Sequence, residues 1–153
     1  MLVRLARLFV VLALFVIAGG GAPAGGDETK AQVVRDALTG GKPVVLALAR
    51  ELPTADSGDE TDADWVHYLN EFSAGHGRYK TVAMDAAEAA ELLAAPPPLE
   101  DYYATIFVRS ADNAIIYDGP VLETAVYRAA ADYLEGDGQF DAEMFAPYAF
   151  ELK

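Results

Sequence analysis

The spacing of hydrophobic and polar positions divides the chain into alternating helical and extended segments. Apolar side chains recur every three or four residues from Asp27 onward, which predicts a helix that ends at Gly40-Gly41. The next segment, 43–49, is apolar throughout and is bounded by turn-forming residues. This pattern is typical of a strand that is buried on both faces of a sheet.

The remainder of the chain continues the alternation. The patterns predict a helix over 61–75, a strand over 79–84, a helix over 86–95, a hairpin of strands over 103–109 and 114–117, and a helix over 123–134. Helices that alternate with short apolar strands indicate the α/β class. The last segment, 136–153, is acidic but rich in aromatic residues, so we expect it to dock on the domain or on a partner.

The first 24 residues have the features of an export signal. Arg4 and Arg7 precede an apolar run over 8–18, and Ala22-Pro23-Ala24 supplies small residues at the usual cleavage spacing. The run is well short of the ~20 residues that span a bilayer as a helix. We therefore expect a signal peptide at 1–24, a domain at 25–135, a C-terminal extension at 136–153, and a periplasmic or secreted location. An uncleaved membrane anchor is the alternative, and membrane contact is expected only through this segment.

The charge of the chain limits its partners. It carries 24 acidic against 11 basic residues and a net charge of -13, which disfavours nucleic acids and anionic lipid and favours solubility, cations or a basic protein or peptide. The chain contains no cysteine, so thiol redox chemistry and a thiol-linked lipid anchor are excluded. No cofactor is indicated.

An acidic loop, 51–64, follows the predicted central strand. Its weak candidates for metal ligands are Asp56, Asp59, Glu60, Asp62 and Asp64. Counted from Asp59, the spacing of an EF-hand would place alanine at a ligand position and Asp64 where that loop needs glycine, so the pattern fails. Two interpretations remain: a solvated loop that caps the next helix, or a looser calcium site.

Catalytic motifs are weak in this chain. His67 and His76 are too far apart in sequence to share one metal ion from a single helix face. The three serines, Ser57, Ser73 and Ser110, lie outside any nucleophile elbow. We therefore predict no catalytic residues and interpret the chain as a non-enzyme.

Aromatic residues beside the acidic loop suit a contact with a protein or peptide. Trp65, Tyr102 and Tyr103, together called the rim below, are the candidate contact residues. The alternative is that Trp65 belongs to the core.

The segments GKPVVLALA, TVAMD and YATIFVRSADNAIIYDGP, in this order among helices, resemble the thioredoxin-like superfamily. The resemblance implies a three-layer α/β/α sandwich around a mixed four-stranded sheet. The family's active-site cysteines are missing between Arg50 and Val66, its buried acid is replaced by Ala47, and its cis-proline by Ala104. The resemblance thus implies the scaffold without the redox activity, and a binding or accessory role. A calcium-binding protein that uses the acidic loop is the alternative function.

Overall fold

The computed structural model describes residues 28–53, 78–99, 103–119 and 124–153. The elements in these ranges are helix α1 (Lys30–Thr39), strands β1 (Val44–Ala49) and β2 (Lys80–Asp85), helix α2 (Ala86–Leu92), strands β3 (Ala104–Ser110) and β4 (Asn113–Asp118), helix α3 (Thr124–Glu135) and strand β5 (Ala146–Pro147). The predicted α/β class is confirmed. The predicted helix over 61–75 lies outside the described residues.

The strands form one mixed sheet in the order β2-β1-β3-β4-β5. Strand β1 pairs in parallel with β2 and antiparallel with β3, and the remaining pairs are antiparallel. All six residues of β1 are buried, which confirms the prediction of a strand covered on both faces. An uninterrupted apolar run is what such a position requires, because neither set of alternating side chains reaches water.

Helices cover both faces of the sheet. Helices α1 and α2 pack on the face that carries Val44, Leu46 and Leu48, and α3 packs on the face that carries Val45 and Ala47. Each face of β1 therefore contributes to a separate hydrophobic core, and the sheet lies between the two.

Helix α1 ends where its sequence predicts, but it begins at Lys30, three residues after the start of the predicted segment at Asp27. The Thr29 hydroxyl accepts a hydrogen bond from the Gln32 amide at 3.2 Å and caps the N-terminus. At the other end, the amides of Gly41 and Lys42 donate to carbonyls of the last turn at 3.0 and 2.8 Å. Gly41 has φ +73°, a conformation that glycine adopts without a steric penalty. The chain consequently turns sharply from α1 into β1.

Helix α2 is shorter than its sequence predicts. The alanine-rich pattern extends to residue 95, but the helix ends at Leu92 and Leu93 is extended. Leu93 forms a β-bridge with Leu152, and the Ala94 amide donates to the Glu151 carbonyl at 2.9 Å. Helix propensity is a local preference, and pairing with the C-terminal segment overrides it here.

Within the described ranges the sheet has five strands, so the prediction of a four-stranded sheet is wrong. Strand β5 pairs with Ile115 and Ile116 on the open edge of β4. The C-terminal segment is held there because Phe145 enters the core under α3 and Phe150 enters the core under α1 and α2. The hydrophobic pattern did not predict this strand, because it consists of only two residues, Ala146 and Pro147.

Candidate functional site

The predicted site lies at the edge of the sheet where β1 and β2 end and β3 begins. In the register of the sheet, Ala49 at the end of β1 lies beside Asp85 at the end of β2. Ala104 at the start of β3 pairs with Leu48 on one side and Asp118 on the other. In open α/β sheets, ligands commonly bind beyond the carboxyl ends of the parallel strands. This edge is therefore the first place to look for function.

The chain leaves this edge through the start of the acidic loop. Arg50 and Glu51 are exposed, while Leu52 packs against the core under α3. The carbonyl of Arg50 accepts a hydrogen bond from the Ala86 amide at 3.5 Å, which links the loop to the start of α2. The described part of the loop ends at Pro53.

Most residues of the predicted site lie outside the described residues. These are the candidate ligands Asp56, Asp59, Glu60, Asp62 and Asp64, the rim residues Trp65 and Tyr102, and also His67, His76, Ser57 and Ser73. Among the described residues, no group of three histidine, aspartate or glutamate side chains is placed to hold a metal ion.

Tyr103 is the rim residue that the structure places. It is half-buried at the entrance to β3 and packs against the core under α3. Its carbonyl accepts a hydrogen bond from the Gly119 amide at 2.7 Å, which joins the two ends of the β3–β4 hairpin. Gly119 has φ +138°, a conformation that side chains disfavour. The Tyr103 backbone is thus held firmly at the edge of the sheet.

The peptide bond between Tyr103 and Ala104 is trans. The resemblance aligns Ala104 with the family's cis-proline, and this chain has neither the proline nor the cis bond there. Strand β3 nonetheless pairs with β1 from Ala104 onward.

Asp85, the acid that ends β2, serves as the N-cap of α2. Its carboxylate accepts a hydrogen bond from the Glu88 amide at 2.8 Å, and the Glu88 carboxylate accepts one from the Asp85 amide at 3.0 Å. The same Glu88 side chain pairs with Lys30 at 2.7 Å. This reciprocal arrangement is a capping box, and it gives Asp85 a structural role.

A buried hydroxyl that the sequence patterns did not single out lies next to Ala47. Thr105 on β3 pairs with Ala47 and is fully buried. Its Oγ1 has no hydrogen-bond partner in the described part of the chain. Ala47 is the residue that the resemblance aligns with the family's buried acid.

A second set of residues that sequence reasoning missed lies at the opposite edge of the sheet. Lys42 precedes β1, Arg78 precedes β2, and Arg109 lies near the end of β3. Because β1 and β2 are parallel and β3 is antiparallel to β1, these three positions meet at one edge. The signal was present in the sequence as a cation beside each of three predicted strands.

Comparisons with protein-family models, with curated proteins and with solved structures found no match for this chain. None of the helices in the described ranges is long and apolar enough to cross a membrane.

Proposed function

We propose that this chain is an exported, non-catalytic binding or accessory module built on a thioredoxin-like scaffold. The observation that carries the proposal is the sheet topology. A parallel β1–β2 pair is joined on its β1 side to an antiparallel β3–β4 hairpin, and helices lie on both faces. The resemblance of the sequence segments implies three layers around a mixed sheet, and the three-layer arrangement supports the proposal, although the sheet has a fifth strand.

The lack of thiols supports a binding role over the family's redox role. The whole chain contains no cysteine, and thiol–disulfide exchange needs a thiolate to attack a disulfide sulfur. Two further positions differ as well, because Ala47 and a trans-bonded Ala104 replace the family's buried acid and cis-proline.

The edge of the sheet at Tyr103 suits a contact surface. The Tyr103 side chain is half-buried on a backbone that is fixed by the hairpin, and a tyrosine loses little conformational freedom when a partner covers it. The acidic loop begins at the same edge, so a basic protein or peptide is the partner class that the charge favours.

A binding experiment tests this role. The purified protein is immobilised and exposed to extract from the compartment to which the protein is exported, and bound proteins are identified. In the test variant, Asp59→Asn, Glu60→Gln and Asp62→Asn neutralise part of the loop. In the control variant, Asp137→Asn, Glu143→Gln and Glu151→Gln remove the same charge from the C-terminal segment. We expect the test variant to lose its partners and the control to keep them.

Identical partners for both variants would refute the placement of the binding surface.

Thermal melts with calcium distinguish the proposed role from the alternative calcium-binding function, because a protein that binds calcium in the folded state melts at a higher temperature when calcium is present. The proposal expects the same melting temperature with and without millimolar calcium, and an increase that the three loop substitutions abolish would favour the calcium site.

A further inference from the structure

The edge of the sheet opposite Tyr103 contains an open depression of about 690 Å³. Its walls come from the α1–β1 turn, the start of β2, the β3–β4 hairpin and the end of α3. The polar side chains that line it are Lys42, Arg78, Arg109, Ser110, Asn113 and Glu135. The volume lies in the usual range for sites that bind small molecules.

Cations outnumber acids in this depression, whereas acids outnumber cations in the chain as a whole. Three basic side chains, Lys42, Arg78 and Arg109, and one carboxylate, that of Glu135, line it. The entire chain has 24 acidic and 11 basic residues. The depression is therefore a local reversal of the charge of the protein.

The ion pair in the depression leaves donors unused. Arg78 Nη1 donates to both carboxylate oxygens of Glu135, at 2.8 and 2.7 Å. A guanidinium has five N–H donors in a fixed plane, so the Nη2 and Nε donors of Arg78 can still reach an anion. Glu135 in turn holds the Arg78 head group in one orientation.

The other two cations have no side-chain partner in the described ranges. Neither Lys42 nor Arg109 forms a side-chain hydrogen bond or ion pair there, and both are exposed. Ser110 uses its hydroxyl to donate to Asp112 at 2.7 Å, so the Asn113 amide is the neutral donor of the site.

The negative ends of two helices offset only part of this positive charge. The C-terminal ends of α1 and α3 lie at the depression, and each carries an effective charge of about -0.5. The last turns of both helices contain no basic residue. Together with Glu135, the helix ends offset about two of the three cations. The exposed Asp112 carboxylate, which accepts a hydrogen bond from the lining Ser110, offsets part of the remaining charge, so a smaller positive charge is left for a ligand.

The geometry of the donors distinguishes among anions. The three cationic groups come from three different segments, at the ends of three adjacent strands, and all of them line the depression. A tetrahedral oxyanion offers oxygens in several directions, and guanidinium groups bind such oxygens in pairs. A planar carboxylate offers only two oxygens and would leave part of the set unused.

We propose that this depression binds a small molecule through a phosphate or sulfate group that Lys42, Arg78 and Arg109 hold together. A nucleic acid or an anionic membrane would meet the net charge of -13 over a large area, whereas a small ligand responds mainly to charges within a Debye length of about 8–10 Å. The site is separate from the Tyr103 edge, so its existence does not depend on the function proposed above.

Calorimetric titration of the purified protein with inorganic phosphate, sulfate and acetate at constant ionic strength tests the proposal. The test variant is Arg109→Gln, and the control is Arg128→Gln, which removes an equally exposed cation on α3 outside the depression. Losing one charge-assisted contact weakens binding about tenfold. We expect this loss for Arg109→Gln and wild-type affinity for Arg128→Gln, with phosphate and sulfate bound more tightly than acetate.

Several outcomes would overturn the proposal. These are equal phosphate affinity in the two variants, acetate binding as tight as phosphate binding, and no binding of phosphate or sulfate by the wild-type protein. Duplex DNA or anionic vesicles that bind more tightly than phosphate, in an Arg109-dependent manner, would assign the depression to a macromolecule instead. A Lys42→Gln variant with the circular dichroism of the wild type repeats the test, should Arg109→Gln fail to fold.

Discussion

Thr105 is a buried polar residue whose hydroxyl lacks a partner in the described part of the chain. Leaving such a group unsatisfied costs about 1–3 kcal/mol, and an apolar group of the same shape removes that cost. We therefore expect Thr105→Val to raise the free energy of unfolding by about 1 kcal/mol. Urea denaturation measures it, with the exposed Thr39→Val as the control, expected to change stability by less than about 0.5 kcal/mol. A loss of stability in Thr105→Val would show that the hydroxyl is hydrogen-bonded.

Gly41 occupies a position where the backbone conformation favours glycine. Its φ is +73°, and nothing lies within 4 Å of the position where a Cβ would stand. A side chain at this position would therefore cost free energy through the unfavourable backbone conformation, because no neighbouring atom would crowd it. We expect Gly41→Ala to lower the free energy of unfolding by about 1 kcal/mol. Gly41→Asn is the matched variant, because asparagine tolerates this conformation better. Equal losses for both variants in urea denaturation would contradict this explanation.

At the scale of elements, substitutions of Asp85 test whether this acid at the end of β2 stabilises the fold by capping α2. Asparagine caps a helix about as well as aspartate, whereas alanine does not cap, at a cost of about 1 kcal/mol. We expect thermal unfolding to show this loss for Asp85→Ala and little change for Asp85→Asn. If Asp85→Asn were as destabilised as Asp85→Ala, the charge of Asp85 would matter more than its hydrogen bond.

The C-terminal segment is part of the fold through its aromatic residues. Phe145 is 4% exposed and its ring meets those of Phe107 and Tyr117 at centroid distances of 6.1 and 6.3 Å. Truncating a buried phenylalanine costs about 3–5 kcal/mol, a large share of the stability of a domain. We expect this loss in the unfolding free energy for Phe145→Ala. Phe140→Ala is the control, since Phe140 is 37% exposed, and a similar loss there would contradict the argument.

Elements with a strong internal pattern could be predicted from sequence, and elements that depend on distant partners could not. The apolar run of β1 and the spacing in α1 placed both within one to three residues of their observed bounds. The end of α2 and the whole of β5 depend on contacts of the C-terminal segment with Leu93 and with β4. Such contacts join positions that are far apart in sequence, so no local pattern records them.

The same limit applies to the candidate sites. The acidic loop is conspicuous in the sequence because its six acids lie within 14 consecutive residues. Lys42, Arg78 and Arg109 are separated by long stretches of chain and come together only through the strand order. A cluster of this kind becomes visible when the direction of each strand is known.

At the scale of the whole molecule, the charges are unevenly distributed. The acidic loop begins where β1 ends, and the basic depression lies where β1 begins. The two ends of the sheet therefore favour ligands of opposite charge. A basic partner at one end and a small oxyanion at the other are compatible, because the two surfaces share no residue.

The stability of the whole molecule should fall at alkaline pH because several tyrosines are buried. Burial raises the pKa of Tyr127 far above the ordinary value of 10.0. The pKa values of Tyr79 and Tyr148 are also raised, in both cases chiefly by burial, with the Glu135 carboxylate adding to the effect at Tyr79. Above about pH 10 the unfolded chain loses phenol protons that the folded chain keeps, so the unfolded state binds fewer protons and stability decreases as pH rises.

Urea denaturation between pH 8 and pH 11 measures this dependence. We expect a nearly constant contribution from these groups up to about pH 9 and a progressive loss of unfolding free energy beyond about pH 10. Tyr127→Phe removes one of the titrating phenols, so its stability should fall less steeply over the upper part of the range, whatever its stability at pH 8. A variant curve parallel to that of the wild type up to pH 11 would mean that Tyr127 ionises equally in both states, contrary to its burial in the core under α3.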